Sequence, residues 1–285
     1  MAGNLYNTRR RLAIAIESTE GTDAIGSPPG ASSFAYIEEL EVAPNQEKQD
    51  LPGNSAGAPG FGKVTARTNQ AGSFMTVTQM NDISVADGSD APPNNTDVIY
   101  RMSGAVRTGD AGTQSYTYGW GYIQGESATL KRYKINSDNT AMRENVALSC
   151  RANLTIEAPN PGALIRSSVE YMGVPGNIPP EVEVSTPAVT GVQYPPQDAF
   201  KLIGATVKIA RLDTYAVYGG GTALAPDCDV ELQGFNISLN YAAQTRSGAC
   251  ATSGIAGTVF GYEQGTAEIT VEATDLSAWD WFEIN

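Results

Sequence analysis

A chain of 285 residues with 31 acidic and 18 basic side chains carries a formal charge of −13, which sets it against any partner gripped through phosphate, since that grip draws its affinity from Lys and Arg. No histidine is present, which removes the commonest general base and the commonest metal ligand. The three cysteines, Cys150, Cys228 and Cys250, have neither the even count of a disulfide framework nor a zinc spacing, so they read as free thiols in a reducing compartment.

With 30 glycines, 16 prolines and 41% apolar residues, the chain is expected to build a real core from strands and turns rather than helices. In chain order the first element is RLAIAIESTEGTDAIG, residues 11–26. Its apolar run, residues 12–16, is shorter than the roughly 7–15 residues of a signal-peptide core and the ~20 of a membrane helix, so the chain reads as cytoplasmic, unprocessed and soluble. Period-two alternation then predicts strands over residues 12–18, 34–42, 63–70, 73–79, 98–104, 114–123, 128–135, 146–158 and 163–173. After a gap the same pattern returns over 200–212, 229–242, 257–263 and 266–274. Helical spacing is confined to 79–84 and 275–282. The expected fold class is all-β, a sandwich or barrel with very little helix.

Gly/Pro/Asn-rich loops separate the strands over residues 51–62, 85–97, 106–113 and 218–227, and loops this long usually carry function or are ordered by a partner. Six prolines in residues 174–197 punctuate the fold. They divide the chain into an N-terminal β-domain (1–174), a Pro-rich connector (175–197) and a C-terminal β-domain (198–285). Acidity is uneven, with 13 acids against 4 bases in residues 181–285. QAGSFMTV (70–77) echoes QGTAEITV (264–271), and YIEELEVAPNQ (36–46) echoes VELQGFNISLN (230–240). Two related β-domains produce such an echo, and so does chance similarity between alternating strands.

Three constellations carry chemistry, each with a plainer reading. Glu39 and Glu41 share one strand face, as do Asp229 and Glu231; paired carboxylates serve a glycosidase, and they equally suit a solvated strand. Asp87, Asp90 and Asp97 offer oxygen ligands for calcium, but their spacing fits no EF-hand and Asp is common in turns. Tyr116, Tyr118, Trp120 and Tyr122 form a ladder that either stacks on sugars or packs against a sheet or helix. No phosphate-binding glycine pattern is present. No cofactor, metal or catalytic residue is assigned, and the chain is not expected to be an enzyme.

The opening stretch resembles the start of the tail tube proteins of long-tailed bacteriophages, in which an alternating strand runs into Glu-Ser/Thr and then Gly-Thr-Asp. Ile14, Ile16, Glu17, Ser18, Gly21, Thr22 and Asp23 carry the likeness. Glu20 departs from it, standing where an aromatic or apolar residue is expected. YIEELEV, FGKVTARTNQAGSFMTV and the C-terminal GTVFGYEQGTAEITVEATDLS are similar in style, so the resemblance covers about a third of the chain. It implies a virion structural protein, made in the host cytoplasm, whose β-sandwich or barrel units form rings. The rings stack, with other tail proteins at the tube ends, into a conduit for genome DNA. One tube domain per chain implies hexameric rings, and two imply trimers with pseudo-sixfold symmetry.

Under that expectation a ring removes unpaired strand borders, and a lumen lined by Glu39, Glu41, Asp229 and Glu231 leaves passing double-stranded DNA unbound. Arg9, Arg10 and Arg11 are expected to anchor an N-terminal arm on acids of an adjacent subunit, or else to form a solvated basic tail. The loop bearing Pro52, Gly53, Gly60 and Phe61 is expected to touch a neighbouring subunit or ring. The alternatives are a carbohydrate-binding or adhesive β-sandwich, resting on the Tyr/Trp ladder, and a two-acid hydrolase.

Overall fold

The computed structural model describes residues 9–26, 34–35, 37–51, 54–55, 58–59, 62–78, 94–110, 115–119, 125–135, 142–176, 182–184, 201–203, 206–209, 228–261 and 265–272. Before the helix come β1 (Arg9–Ile16), β2 (Phe34–Ala35), β3 (Glu39–Leu51), β4 (Asn54–Ser55), β5 (Ala58–Pro59) and β6 (Gly62–Val77). The helix α1 (Asn94–Met102) leads into β7 (Val106–Asp110), β8 (Ser115–Gly119), β9 (Ala128–Ile135), β10 (Met142–Ala158) and β11 (Arg166–Pro175). Then follow β12 (Val182–Val184), β13 (Thr206–Ile209), β14 (Cys228–Leu239), β15 (Ala243–Ser247), β16 (Ile255–Phe260) and β17 (Thr266–Glu272). The fold is all-β: an 11-stranded antiparallel sheet, curled around one core, with β4–β5, β7–β8 and β15–β16 as separate two-stranded pieces.

The 17-residue β10 is the strand on which the sheet is assembled. Along one border, residues 142–150 pair with β9 and residues 154–158 with β14. Along the other, residues 142–144 pair with β12 and residues 147–157 with β11. The changeover falls at a bulge where Ser149 takes a φ of 53°, so that one strand serves two partners on one border. Strands from beyond the Pro-rich segment thus extend the same sheet as those before it. Each pair of echoing segments forms an antiparallel couple, β3 with β6 and β14 with β17. The couples join the sheet by different members, since β6 meets β11 whereas β14 meets β10.

One face of the sheet carries Leu40, Phe74, Val169, Leu154 and Leu239, one from each of five neighbouring strands, and it is buried. The helix covers this face where β1 and β10 pass beneath it, and Leu12, Ile14, Val98, Ile99 and Met102 join the same cluster. Residues 98–104, read from alternation as a strand, are therefore corrected to the end of α1 and its cap. Val98, Tyr100 and Met102 satisfy a period of two, but Val98, Ile99 and Met102 satisfy a period of 3.6 and are the residues buried. Asp97 in the first turn and Arg101 in the last favour the helix through its dipole and their mutual ion pair. Gly104, at a φ of 94°, closes it, with the Ala105 N–H returning to the Tyr100 carbonyl at 3.0 Å.

Residues 106–113 also depart from the loop expected there, because residues 106–110 form β7. The helical stretches expected at 79–84 and 275–282 lie outside the described residues. Ile99, 1% exposed, tests the helix assignment: Ile99→Ala is expected to cost about 2–5 kcal/mol in urea unfolding. A cost under about 0.5 kcal/mol, typical of a surface change, contradicts the packing described.

Candidate functional site

The face opposite the core is polar across six strands, because strict alternation places every second residue on it. In register, Glu41, Ser73, Glu170 and Asn153 form one row across β3, β6, β11 and β10. The neighbouring row runs Glu39, Met75, Ser168, Thr155, Ser238 and Thr266, as far as β17. A third runs from Val77, which is buried, through Arg166, Glu157, Asn236 and Glu268. Glu39, Glu41, Glu170 and Glu268 are exposed. Arg166, the base in these rows, is held by Glu38 at 2.7 Å, which cancels its charge locally. The result is an acidic surface along these rows, bounded at Asn153 by the β15–β16 hairpin, whose Ala243 N–H donates to the Asn153 side chain at 3.4 Å.

Among the described residues both ends of this six-strand span are open. Within the described residues β3 pairs only with β6, and β17 only with β14. An unpaired strand border presents a row of backbone donors and acceptors and is normally blunted or covered. Here the borders are 13 and 7 residues long.

The geometry of the span depends on a polar clamp at the β10 bulge. Glu17 follows β1 and is 6% exposed. Its carboxylate accepts the Ser149 N–H at 2.8 Å, the Gly21 N–H at 2.8 Å, the Ser127 hydroxyl at 2.7 Å and the Thr129 hydroxyl at 3.0 Å. Gly21, at a φ of 79°, supplies the left-handed turn that aims its N–H back at this carboxylate. The turn then folds over β9, where buried Lys131 binds Asp23 at 2.6 Å and the Ile25 carbonyl at 2.8 Å. Glu20 accepts from the Ser149 hydroxyl at 2.7 Å and pairs with Arg151 at 3.3 Å. Burial pushes the Glu20 carboxyl up, but bonds from Ser149 and Arg151 and the charges of Arg151 and Arg246 outweigh it and hold it below the ordinary carboxylate value. Arg151 and Ser149 also bond Thr258, which ties the β15–β16 hairpin to the clamp.

A second cluster fastens α1. Asp97 pairs with Arg101 at 2.9 Å and Arg107 at 3.0 Å and accepts the Tyr118 hydroxyl at 2.8 Å, while Arg101 continues to Glu126. Two guanidinium groups occupy this carboxylate, which leaves it no calcium role. The Tyr118 ring packs edge-on against Tyr100 at 5.1 Å, so this member of the aromatic ladder serves the helix contact. Among the described residues no group of three or more Cys, Asp or Glu is placed to hold a metal ion, and no helix is long and apolar enough to cross a membrane. Burial raises the Cys150 thiol well above its usual range, which makes it unreactive.

The residues singled out from the sequence are distributed as follows. Arg9, Arg10 and Arg11 lie in β1 itself, opposite Ile135, Lys134 and Tyr133, so the backbone at these positions is part of the sheet. Glu39 and Glu41 lie exposed on the acidic face at the β3 border. Asp229 and Glu231 occupy β14 opposite Lys208 and Thr206, with Glu231 also opposite Glu272. Pro52, Gly53, Gly60, Phe61 and Trp120 fall outside the described residues. Sequence reading missed Glu157, Glu170 and Glu268, although each stands between apolar neighbours in an alternating strand, which was the available signal. Neither protein-family models nor curated proteins match the chain.

Removing the clamp carboxylate strands four donors, each costing about 1–3 kcal/mol when left unpaired, so Glu17→Ala is expected to lower unfolding free energy by at least about 3 kcal/mol. A loss below about 1 kcal/mol in urea titration contradicts the clamp. Because the Glu20 carboxyl is depressed in the folded chain, its stabilisation is present above the unfolded value near 4.5 and is lost as pH falls through the lower folded value. The stability gap between the native chain and Glu20→Gln is therefore expected at pH 6 and expected to close below pH 4.5; a gap unchanged or widening in acid contradicts it.

Proposed function

We propose that this chain is a tail tube protein of a long-tailed phage, a structural subunit completed by copies of itself in stacked rings around a passage for DNA. The observation that carries the reading is the pairing of two features on one sheet: an acidic face spanning β3 to β17, and, among the described residues, open strand borders at both ends of that span. Head-to-tail union of β17 with the β3 of a neighbour continues the sheet, and closure of the ring pairs both of these borders. The acidic face then turns toward the passage. Phosphate meets like charge there, and Arg166, the base in the rows, is already paired with Glu38, so DNA slides without being held. The resemblance in residues 14–23 supports the same reading: Glu17 and Gly21, two of its residues, form the clamp and its turn. The role needs no catalytic residue.

Electron microscopy of concentrated protein, with and without the tail proteins that cap such tubes, is expected to show hollow rings or tubes. Rotational symmetry of end-on views counts the copies as six or three. A chain that stays monomeric under both conditions contradicts the reading. The acidic face has its own test: Glu39→Lys with Glu41→Lys and Glu170→Lys is expected to create salt-sensitive retention of duplex DNA in gel shift, where the native chain shows none. Equal mobility for the two proteins contradicts the placement of these acids on one accessible face.

A further inference from the structure

The hairpin β15–β16 lies outside the main sheet and packs on its polar face, over β10, β11 and β6. Among the described residues none of 243–260 joins the hydrophobic cluster on the other face. The buried apolar side chains of the hairpin are Ala243 and Ile255. Much of its remaining hold is polar. The Ala243 N–H reaches Asn153, and the Thr258 N–H reaches the Ser149 hydroxyl at 3.4 Å. Arg151 donates to the Thr258 hydroxyl at 3.1 Å, and the Thr68 N–H of β6 donates to the Ser253 carbonyl at 3.0 Å. Phe260, at the exit, packs on the Arg151 guanidinium and on Tyr241.

The two ends of the hairpin meet at one point. Its entry is Ala242, at a φ of 49°, and its exit is Gly261, whose N–H donates to the Ala242 carbonyl at 3.1 Å. A left-handed alanine is held at a cost and glycine turns freely, so this pair suits a change of backbone direction. We infer that the β15–β16 hairpin is a flap, hinged at Ala242 and Gly261 and latched shut by Glu20, which opens as a unit while the core stays intact. Such a flap stands whether or not the chain forms rings.

Glu20 is the latch because it touches both layers. On the sheet side it accepts the Ser149 hydroxyl and pairs with Arg151. On the flap side, a Cβ added at Gly257 would stand 2.5 Å from Glu20 Oε1, so the carboxylate lies against the bare backbone of β16. Arg246 of β15 faces it as well. The other acids of its turn are engaged elsewhere, Glu17 with the Ser149 N–H and Asp23 with Lys131. Segments that open below the cost of global unfolding are those with few buried apolar contacts, which describes this hairpin. A two-stranded hairpin off its sheet is marginal in water, so a lifted flap loses the protection of its own hydrogen bonds too. Shut, it covers Ser149, Arg151 and Asn153; open, it joins that patch to the acidic rows beside it.

Native-state amide exchange across a urea series tests the flap. Residues 243–260 are expected to be protected at least tenfold less than residues 146–158, with little dependence on urea, because lifting the flap exposes little surface. Glu20→Gln removes the latch charge, and Gly257→Ala wedges the carboxylate away. Each is expected to lower protection over 243–260 at least threefold, with the urea dependence still small. The difference between native protein and Glu20→Gln is expected to close as pH falls below 4.5 and through the lower folded value of Glu20. Protection over 243–260 equal to that over 146–158, with the same urea dependence, overturns the flap, and the native chain alone decides this. Protection unchanged in both variants overturns Glu20 as its latch.

Discussion

The arrangement of the sheet rests on one buried carboxylate. Glu17 gathers two backbone N–H groups and two hydroxyls from the turn after β1, the start of β9 and the bulge of β10. The left-handed Ser149 at that bulge is a conformation that a residue with a side chain adopts at a cost. The hydrogen bond from its N–H to Glu17 offsets the cost and fixes where the bulge falls. That position decides where β9 stops and β14 begins along β10, and hence whether the C-terminal strands extend the sheet. A local polar contact thereby sets the length of the acidic face.

The consequence is a sheet with divided faces. Toward the core, alternation delivers Leu40, Phe74, Val169 and Leu154 to one continuous cluster, closed by α1. Away from it, the same alternation delivers carboxylates with few cations among them. Such a surface makes a poor grip for nucleic acid and a good wall beside it. Meanwhile the strands at the two extremes lack a partner within the described chain.

Much of the fold was legible in alternation. The strands β1, β9, β10 and β11 follow the apolar pattern of the sequence to within a few residues, because each buries one face and exposes the other for most of its length. The helix was not legible in that way: VIYRM satisfies both periods, and only the sheet surface awaiting Val98, Ile99 and Met102 chooses between them. The hairpin strand β15 was missed because its alternation is weak, with Ala243 buried among exposed neighbours. The clamp was half visible. Glu17 stood out through the resemblance, and Gly21 lies four positions on, but its other three partners lie 110, 112 and 132 positions away, beyond any local pattern. Glu20, the apparent departure from that resemblance, is accounted for by Ser149 and Arg151, which supply the bonds that suit a carboxylate there. Acids beyond the first pair escaped notice because a shared face across strands is a matter of register, which alternation alone does not supply.

A strand-resolution electron cryomicroscopy map of the assembled protein tests the central claim most directly. The account predicts β17 of each copy beside β3 of the next, with Glu39, Glu41 and Glu170 facing the channel. A map in which those two borders are capped within their own chain, or in which these acids face the outside of the assembly, contradicts it.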